Sequence, residues 1–90
     1  MDEPIMITRK ESLFAMKEIK DEIRGAFVIV LLEGQIIVEV QLCNSCRPKT
    51  SILTTAGSNL YIPPKSTYRI RNSQLLKAEW IEVHQNPDML

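Results

Sequence analysis

The segment FVIVLLEGQIIVEV, residues 27–40, carries the strongest structural signal in this sequence. It is almost entirely apolar and rich in β-branched residues, and it is interrupted by Glu33-Gly34, a dipeptide suited to a tight turn between strands. A hairpin closed by this turn places Ile29 opposite Val38 and makes one face wholly apolar, so we expect that face to lie in the core. Its members are Phe27, Ile29, Leu31, Ile36, Val38 and Val40.

The opposite face of the predicted hairpin is also largely apolar. The side of a strand that faces water normally carries polar residues, and this side is mostly apolar. We therefore expect another part of the chain or another molecule to cover it. The candidate dimer interface defined in this way consists of Val28, Val30, Leu32 and Ile37.

Several short strands with intervening turn residues follow this segment. SILTT (51–55) precedes Ala56-Gly57, NLYI (59–62) runs into two prolines, and YRIRN (68–72) alternates between polar and apolar residues. The last strand signal is LLKAEWIEV (75–83). Short strands at this spacing are typical of all-β sandwiches and barrels, so the sequence predicts a small jelly-roll barrel or sandwich.

Residues 8–24 allow two interpretations. TRKE (8–11) resembles a helix capping box, and Leu13, Met16, Ile19 and Ile23 recur at helical spacing, which favours a short amphipathic helix. The same residues can also form an edge strand. The all-β context favours the strand.

The length and charge of the chain limit its function. Ninety residues with eleven basic and eleven acidic side chains predict one domain over residues 1–90, with an ordered core over about 10–84 and a polar tail over 85–90. The balanced charge provides no general attraction for nucleic acid or an anionic membrane, so direct DNA contact is not expected. No apolar run approaches the roughly 18 residues of a membrane span, and the acidic start is unlike a signal peptide. We expect a soluble, intracellular protein with no membrane contact.

The segment TAGSNLYIPPKSTYRIRN, residues 55–72, resembles the second conserved motif of the cupin family. That motif has a glycine, a proline, usually a second glycine, a histidine and an asparagine. Gly57, Pro63 and Asn72 match it, and Tyr68 stands at the histidine position. FVIVLLEG (27–34) is similar to the end of the first cupin motif. The resemblance implies a cupin-like jelly roll.

The departures from these motifs concern the metal ligands. Metal-binding cupins use two histidines and a glutamate from the first motif and a histidine from the second. Here Phe27 occupies the glutamate position, Tyr68 the last histidine position and Lys65 the second glycine position. A transition metal needs several converging N, O or S donors, so we expect no metal, no cofactor and no enzymatic activity. The remnant of the site is a degenerate cupin pocket formed by Phe27, Ile29, Tyr68, Ile70 and Asn72.

Among cupins without a metal, the chain resembles the C-terminal cupin domain of the centromere protein C family. The shared features are FVIV (27–30), LTTAG (53–57), Ile62-Pro63, Tyr68 and Asn72. The resemblance implies a non-catalytic homodimerisation module of the inner kinetochore, placed in the nucleus at the centromere. In some lineages this domain also binds a centromere loading or recruiting factor, which is the partner implied here besides a second copy. An alternative is a metal-free cupin sensor that binds a small molecule between Phe27, Ile29, Tyr68 and Ile70.

Four further features have less specific interpretations. Cys43 and Cys46 form one CxxC, which suits a redox pair or half of a zinc site, but two reduced, partly buried loop thiols are the favoured interpretation. We expect His84 to lie at the surface, because no nucleophile or acid is placed beside it in the sequence. Trp80 is expected to pack in the core or an interface. The basic residues Arg69, Arg71, Lys65 and Lys77 are expected to form a solvated strand surface rather than a phosphate-binding patch.

Overall fold

The computed structural model of the chain describes residues 6–14, 17–22 and 26–85. This part of the chain forms eight β-strands and contains no helix. None of the described residues forms a helix long and apolar enough to cross a membrane. The strands are β1 (Met6–Leu13), β2 (Glu18–Glu22), β3 (Phe27–Glu33), β4 (Ile36–Gln41), β5 (Lys49–Leu53), β6 (Asn59–Ile62), β7 (Thr67–Arg71) and β8 (Ala78–Gln85).

The strands form two antiparallel sheets of four strands each. The first sheet has the order β1-β8-β3-β6, and the second has the order β2-β7-β4-β5. The inward-facing residues of both sheets pack against each other, which is the arrangement of a β-sandwich or jelly roll. The all-β jelly-roll or sandwich fold predicted from the sequence is therefore confirmed.

The predicted hairpin between residues 27 and 40 is wrong. β3 pairs with β6 and β8 in the first sheet, whereas β4 pairs with β5 and β7 in the second. The Glu33-Gly34 turn therefore carries the chain from one sheet to the other. All six residues predicted to face the core are nevertheless buried, because two strands that face each other across a sandwich bury alternate residues just as one hairpin does.

Gly34 is required at this crossing for two reasons. Its φ angle of +82° lies in the left-handed region that favours glycine. A Cβ atom added at this position would also lie 2.9 Å from the backbone Cα of Ala78 and 2.9 Å from the carbonyl oxygen of Lys77. The end of β3 thus approaches the start of β8 too closely for any side chain.

Within residues 8–24 the structure describes the end of β1 and the whole of β2, with Phe14 and Lys17 outside both strands, so the helix interpretation is wrong for the described residues and the strand is interrupted rather than continuous. β1 pairs with β8 over its whole length, from Met6 opposite Gln85 to Leu13 opposite Ala78. β2 pairs with β7, and Ile19 lies opposite Ile70. In these strand pairs the backbone N–H and C=O groups form hydrogen bonds with distant segments of the chain. In a helix the same groups would form hydrogen bonds within the segment. Met16 and Ile23 lie outside the described residues, as does the predicted tail beyond Gln85.

Candidate functional site

Phe27 and Tyr68, the two residues at the ligand positions of the resembled cupin motifs, belong to a cluster of rings. Phe27 on β3 is 1% exposed, and its ring lies edge-on to that of Tyr68 on β7, with centroids 5.3 Å apart and planes at 68°. On its other side the imidazole of His84 on β8 stacks on Phe27 at 4.3 Å and 11°. Phe27 and His84 are cross-strand partners, so the pairing of β3 with β8 brings these two rings together.

Aliphatic side chains complete this part of the interior. Ile29 and Ile70 are both fully buried, and Tyr68 is 8% exposed. A side chain without accessible surface does not border a space the size of a water molecule, so Ile29 and Ile70 belong to the core and line no open pocket. The small-molecule sensor interpretation therefore has no cavity between Phe27, Ile29 and Ile70.

Among the residues that the structure describes, no group of three or more His, Cys, Asp or Glu side chains is placed to hold a metal ion. Near Phe27 the structure shows a pair of such side chains, His84, which stacks on it, and Glu82, which contacts His84. A transition-metal site needs more donors than this pair supplies. The expectation that the chain binds no metal stays a prediction.

A buried polar network lies beside the ring cluster, and sequence reasoning missed it. Glu82 is 7% exposed and accepts a hydrogen bond from Nε1 of the fully buried Trp80 at 2.9 Å. Its other carboxylate oxygen lies 2.8 Å from Nε2 of His84. His84 is partly buried, and 26% of its side chain is exposed, so it reaches the surface as predicted. The expectation that no acid lies beside it is wrong, because Glu82 is that acid. Trp80 lies in the core, as expected.

The asparagine of the second motif does not belong to the former pocket. Asn72 is 1% exposed, but it lies just beyond the end of β7, four residues or about 13 Å along an extended strand from Tyr68. Its Nδ2 donates to the carbonyl oxygens of Leu13 at 3.1 Å and Leu76 at 2.7 Å, and its Oδ1 accepts from the backbone N–H of Gln74 at 2.9 Å. Asn72 therefore connects the end of β1 to the β7–β8 connection.

Lys65 shows the backbone conformation expected of the second motif glycine. Its φ angle is +60°, and it is the one residue other than glycine with a positive φ in the described part of the chain. Ser66 follows it and donates from its hydroxyl to the carbonyl oxygen of Pro63 at 2.7 Å. The turn between β6 and β7 thus has a left-handed residue at the position where the resembled motif has a glycine.

The predicted dimer interface is divided between two surfaces. Val28 and Val30 lie half-buried on the outer face of the first sheet, with Leu32 36% exposed at the end of the same strand. Ile37 lies opposite Ile52 and Arg71, on the outer face of the second sheet. Assigning Ile37 to the same surface as the valines is wrong, because it depended on the incorrect hairpin.

Residues of β8 extend the surface that contains the two valines. Val83 lies directly opposite Val28, and Ile81 lies directly opposite Val30, so all four share one side of the sheet. Tyr61 on β6 is 60% exposed and lies opposite Val28 on the other flank. We refer to Val28, Val30, Ile81 and Val83 as the outer apolar face.

Charged residues border the outer apolar face at one end. Glu79 lies 3.0 Å from Nζ of Lys77 and 3.3 Å from Nζ of Lys10. Hydrogen bonds from Lys77 and then Lys10 hold the pKa of the Glu79 carboxyl below its ordinary value. This border therefore carries charges of both signs.

The basic residues considered for phosphate binding do not form one patch. Arg69 and Arg71 lie on the outer face of the second sheet, whereas Lys77 pairs with Glu79 beside the first sheet. Glu39 occupies the β4 position directly opposite Arg69. This arrangement agrees with a solvated strand surface.

The connection between β4 and β5 contains a disulfide between Cys43 and Cys46, so the expectation of two reduced thiols is wrong. The side-chain amide of Gln41 donates hydrogen bonds to the carbonyl oxygens of Asn44 at 3.2 Å and Cys46 at 3.0 Å. The CxxC segment is therefore a closed turn, and its sulfur atoms are not metal ligands in this state.

Comparison with known proteins identifies the fold through solved structures. No protein-family model matches the chain, and no curated protein matches its sequence. The Drosophila melanogaster CENP-C cupin domain superimposes with a TM-score of 0.79 at 12% identity, over 87% of this chain and 59% of that chain. D. melanogaster CENP-C bound to CAL1 matches with a TM-score of 0.79 at 12% identity, over 87% of this chain and 63% of that chain.

An enzyme structure shares the same fold. Oxalate oxidase in complex with the substrate analogue glycolate matches with a TM-score of 0.79 at 14% identity, over 91% of this chain and 43% of that chain. The chain thus spans about three-fifths of the length of the CENP-C chains and less than half of the oxidase chain. The resemblance noted from the sequence motifs is confirmed at the level of the fold, which is that of the cupin domains.

Proposed function

We propose that this chain is a non-catalytic cupin module that forms a homodimer through the outer apolar face and acts within a centromere or kinetochore assembly. The observation that carries the proposal is the position of Val28, Val30, Ile81 and Val83 on the outward side of the first sheet, where all four are only partly buried. Contiguous apolar patches of this kind mark interaction surfaces in soluble proteins.

Burial of this face can supply substantial free energy. An aliphatic side chain transferred completely from water contributes about 1.5–3 kcal/mol, and these partly buried side chains have at most about a third of that left to gain. Four of them together contribute at most about 2–4 kcal/mol, compared with a stability of about 5 kcal/mol for a small domain at the lower end of the range. A partner surface over the face would therefore matter for the stability of a 90-residue chain.

A second copy of the chain suits this surface. A two-fold interface uses the same patch on both subunits and must be complementary to itself. The apolar centre meets this requirement. The border contains both a cation, Lys10, and an anion, Glu79, so a symmetry-related copy can place opposite charges against each other.

The absence of catalysis is proposed from the interior of the sandwich. Phe27 and Tyr68 occupy the positions where a metal-binding cupin has ligands, and their rings pack against each other at 5.3 Å. Hydrocarbon fills the space in which a metal and a substrate would meet. Enzymes share this fold, so the filled interior rather than the fold supports this part of the proposal.

The cellular role is proposed from the fold neighbours and the motif resemblance. One of the matching structures is CENP-C bound to CAL1. By analogy, we place this chain in the nucleus at the centromere or kinetochore, where it binds a centromere factor as well as itself.

The dimer is tested by placing a charge on each outer face. Val30→Glu introduces a carboxylate into the outer apolar face, where a two-fold copy would bring two such charges together. Ile37→Glu is the matched control, because Ile37 is a half-buried apolar residue on the outer face of the second sheet. Sedimentation equilibrium at micromolar concentration should give a dimer for the wild type and Ile37→Glu, and a monomer for Val30→Glu.

Two results would contradict the proposed interface. A wild-type monomer at these concentrations would exclude a stable homodimer. Dissociation caused by Ile37→Glu but not by Val30→Glu would move the interface to the second sheet. For the cellular role, a fluorescent fusion of the protein in dividing cells should coincide with centromeric chromatin, and a diffuse signal would count against that assignment.

A further inference from the structure

A cleft lies at the side of the sandwich where the edge strands β5 and β6 leave a gap between the two sheets. Its volume is about 200 Å³. Both sheets contribute to its walls, which are mainly apolar. The residues that matter here are Val40, Leu42, Leu60, Tyr61, Pro63 and Lys49.

The size of the cleft limits what it can hold. An apolar cavity of about 150 Å³ in another protein accommodates a benzene molecule. A cleft of about 200 Å³ therefore has room for one aromatic ring or a branched alkyl group of similar size. A long acyl chain or a sugar chain would not fit within it.

Lys49 is the charged residue among the described residues that line the cleft. Segments 41–53 and 59–66, which contain β5 and β6 and the adjoining turns, have three basic residues and no acidic residue. These are Arg47, Lys49 and Lys65. Glu39 on the adjacent strand β4 lies on the outer face of the second sheet, opposite Arg69, and does not line the cleft. The ammonium group of Lys49 is thus a cation on an apolar wall with no acidic partner among the described residues that line the cleft.

We propose that this cleft binds a compact apolar carboxylic acid, with its hydrocarbon part between Val40 and Leu60 and its carboxylate at Lys49. A small molecule suits the cleft better than an added peptide strand does. Pro48 precedes β5, and Pro63 and Pro64 follow β6, so each edge offers only a short run of backbone groups for pairing. This inference does not depend on the proposed dimer, because Lys49 and Leu60 do not belong to the outer apolar face.

The test is a nuclear magnetic resonance titration of the isotope-labelled chain with three related probes. Phenylacetate carries the ring and the carboxylate, phenylacetamide carries the ring without charge, and 2-phenylethylamine reverses the charge. Phenylacetate should shift the amide signals of Val40, Ser51 and Leu60 in a saturable way. The amide should bind more weakly than the acid, and the amine should cause no saturable shift.

Variants connect the binding to the cleft. Lys49→Gln should weaken phenylacetate binding roughly two- to fivefold, the range expected for a solvent-exposed ion pair. Lys77→Gln removes a cation beside the first sheet and should leave binding unchanged. Leu60→Trp should fill the cleft and abolish binding. If that variant does not fold, Ser51→Leu fills the cleft from the opposite wall, where Ser51 also lines it.

Three outcomes would overturn the inference. The first is the absence of a saturable shift at the cleft residues with phenylacetate. The second is equal binding of the three probes, which would mean that the charge at Lys49 has no role. The third is a response of the cleft signals to an acidic, apolar peptide but not to phenylacetate, which would make the cleft a protein-docking site instead.

Discussion

The indole N–H of Trp80 donates a 2.9 Å hydrogen bond to the carboxylate of Glu82, and both side chains lie inside the sandwich. They are two residues apart on β8, so they face the same side of the strand. A fully buried indole N–H without a partner is costly, and Glu82 provides that partner next to Ile29, its cross-strand neighbour in the core. The carboxylate therefore has a structural reason to be buried.

We predict that Glu82→Leu destabilises the fold by about 1–3 kcal/mol, because it leaves the N–H of Trp80 buried without an acceptor. Glu82→Gln should cost less, since its amide oxygen can still accept from Trp80. Urea unfolding followed by circular dichroism measures both changes. The Trp80→Phe variant removes the donor, so Glu82→Leu should cost less in that background than in the wild type. Equal costs in the two backgrounds would show that the hydrogen bond does not matter.

Sequence alternation identified the buried residues of β3 and β4 but not their pairing. Ile29 and Val38 face the core as predicted, yet they belong to different sheets. Apolar residues at every second position show which side of a strand is buried. They do not show whether the two strands pair in a hairpin or face each other from different sheets, because the same residues are buried in both cases. The true partners of β3 are β6 and β8, which lie about 30–50 residues further along the chain, so no local pattern could reveal them.

The same limitation explains what was missed in the candidate site. Val28 and Val30 could be recognised in the sequence, but Ile81 and Val83 join them only through the pairing of β3 with β8. Glu82 and His84 were overlooked because charged and polar side chains are usually exposed. The available signal was their spacing. Ala78, Trp80, Glu82 and His84 follow one another at intervals of two residues, so all four lie on the inward side of β8.

We predict that Asn72→Ala destabilises the fold by about 2–4 kcal/mol, because it leaves two carbonyl oxygens and one backbone N–H without their present partner. Asn72→Asp should be at least as damaging, since a carboxylate cannot donate to the carbonyl oxygens of Leu13 and Leu76. Asn59→Ala, at an exposed position on β6, is the control and should change stability by less than about 0.5 kcal/mol. Thermal and urea unfolding provide the measurement, and a neutral Asn72→Ala variant would refute the connecting role.

We predict that Glu79 makes stability depend on pH in the acidic range. Lys77 and Lys10 lower the pKa of Glu79 below its ordinary value of about 4.5, so the folded state favours the ionised carboxylate. The resulting stabilisation is fully present above the unfolded-state pKa and is lost as the pH falls through the lower pKa of the folded state. Glu79→Gln should therefore reduce stability at neutral pH, and the difference from wild type should shrink in acid.

The lysine partners provide the control for this prediction. In a chain carrying both Lys10→Gln and Lys77→Gln, replacement of Glu79 by Gln should have little effect at any pH. Added salt should also reduce the difference, because the ion pairs are exposed to solvent. A stability difference that persists unchanged from neutral pH to strong acid would mean that its cause is not the charge of Glu79.

We predict that substitutions at Lys65 follow backbone preference rather than charge. A residue other than glycine with φ of +60° carries a strain of about 1 kcal/mol, which glycine avoids at some cost in unfolded-chain entropy. Lys65→Gly and Lys65→Asn should therefore be neutral or slightly stabilising. Lys65→Val should be destabilising, because β-branched residues tolerate this conformation poorly. Lys65→Gln, which removes only the charge, should match the wild type in urea unfolding.

A comparison of alanine substitutions at Gly34 and Gly57 separates the cost of steric contact from the cost of backbone strain. Both have positive φ angles, +82° and +92°, so alanine is strained at either position. A Cβ atom at Gly57 would meet nothing within 4 Å, whereas at Gly34 it would lie 2.9 Å from backbone atoms of Ala78 and Lys77. Gly57→Ala should cost about 1 kcal/mol, and Gly34→Ala should cost about 2–3 kcal/mol more because β3 and β8 must move apart. Urea unfolding measures both, in a stabilising osmolyte if Gly34→Ala is unfolded in buffer alone. Equal costs for the two alanine variants would show that β3 does not approach β8 as closely at this crossing between the sheets.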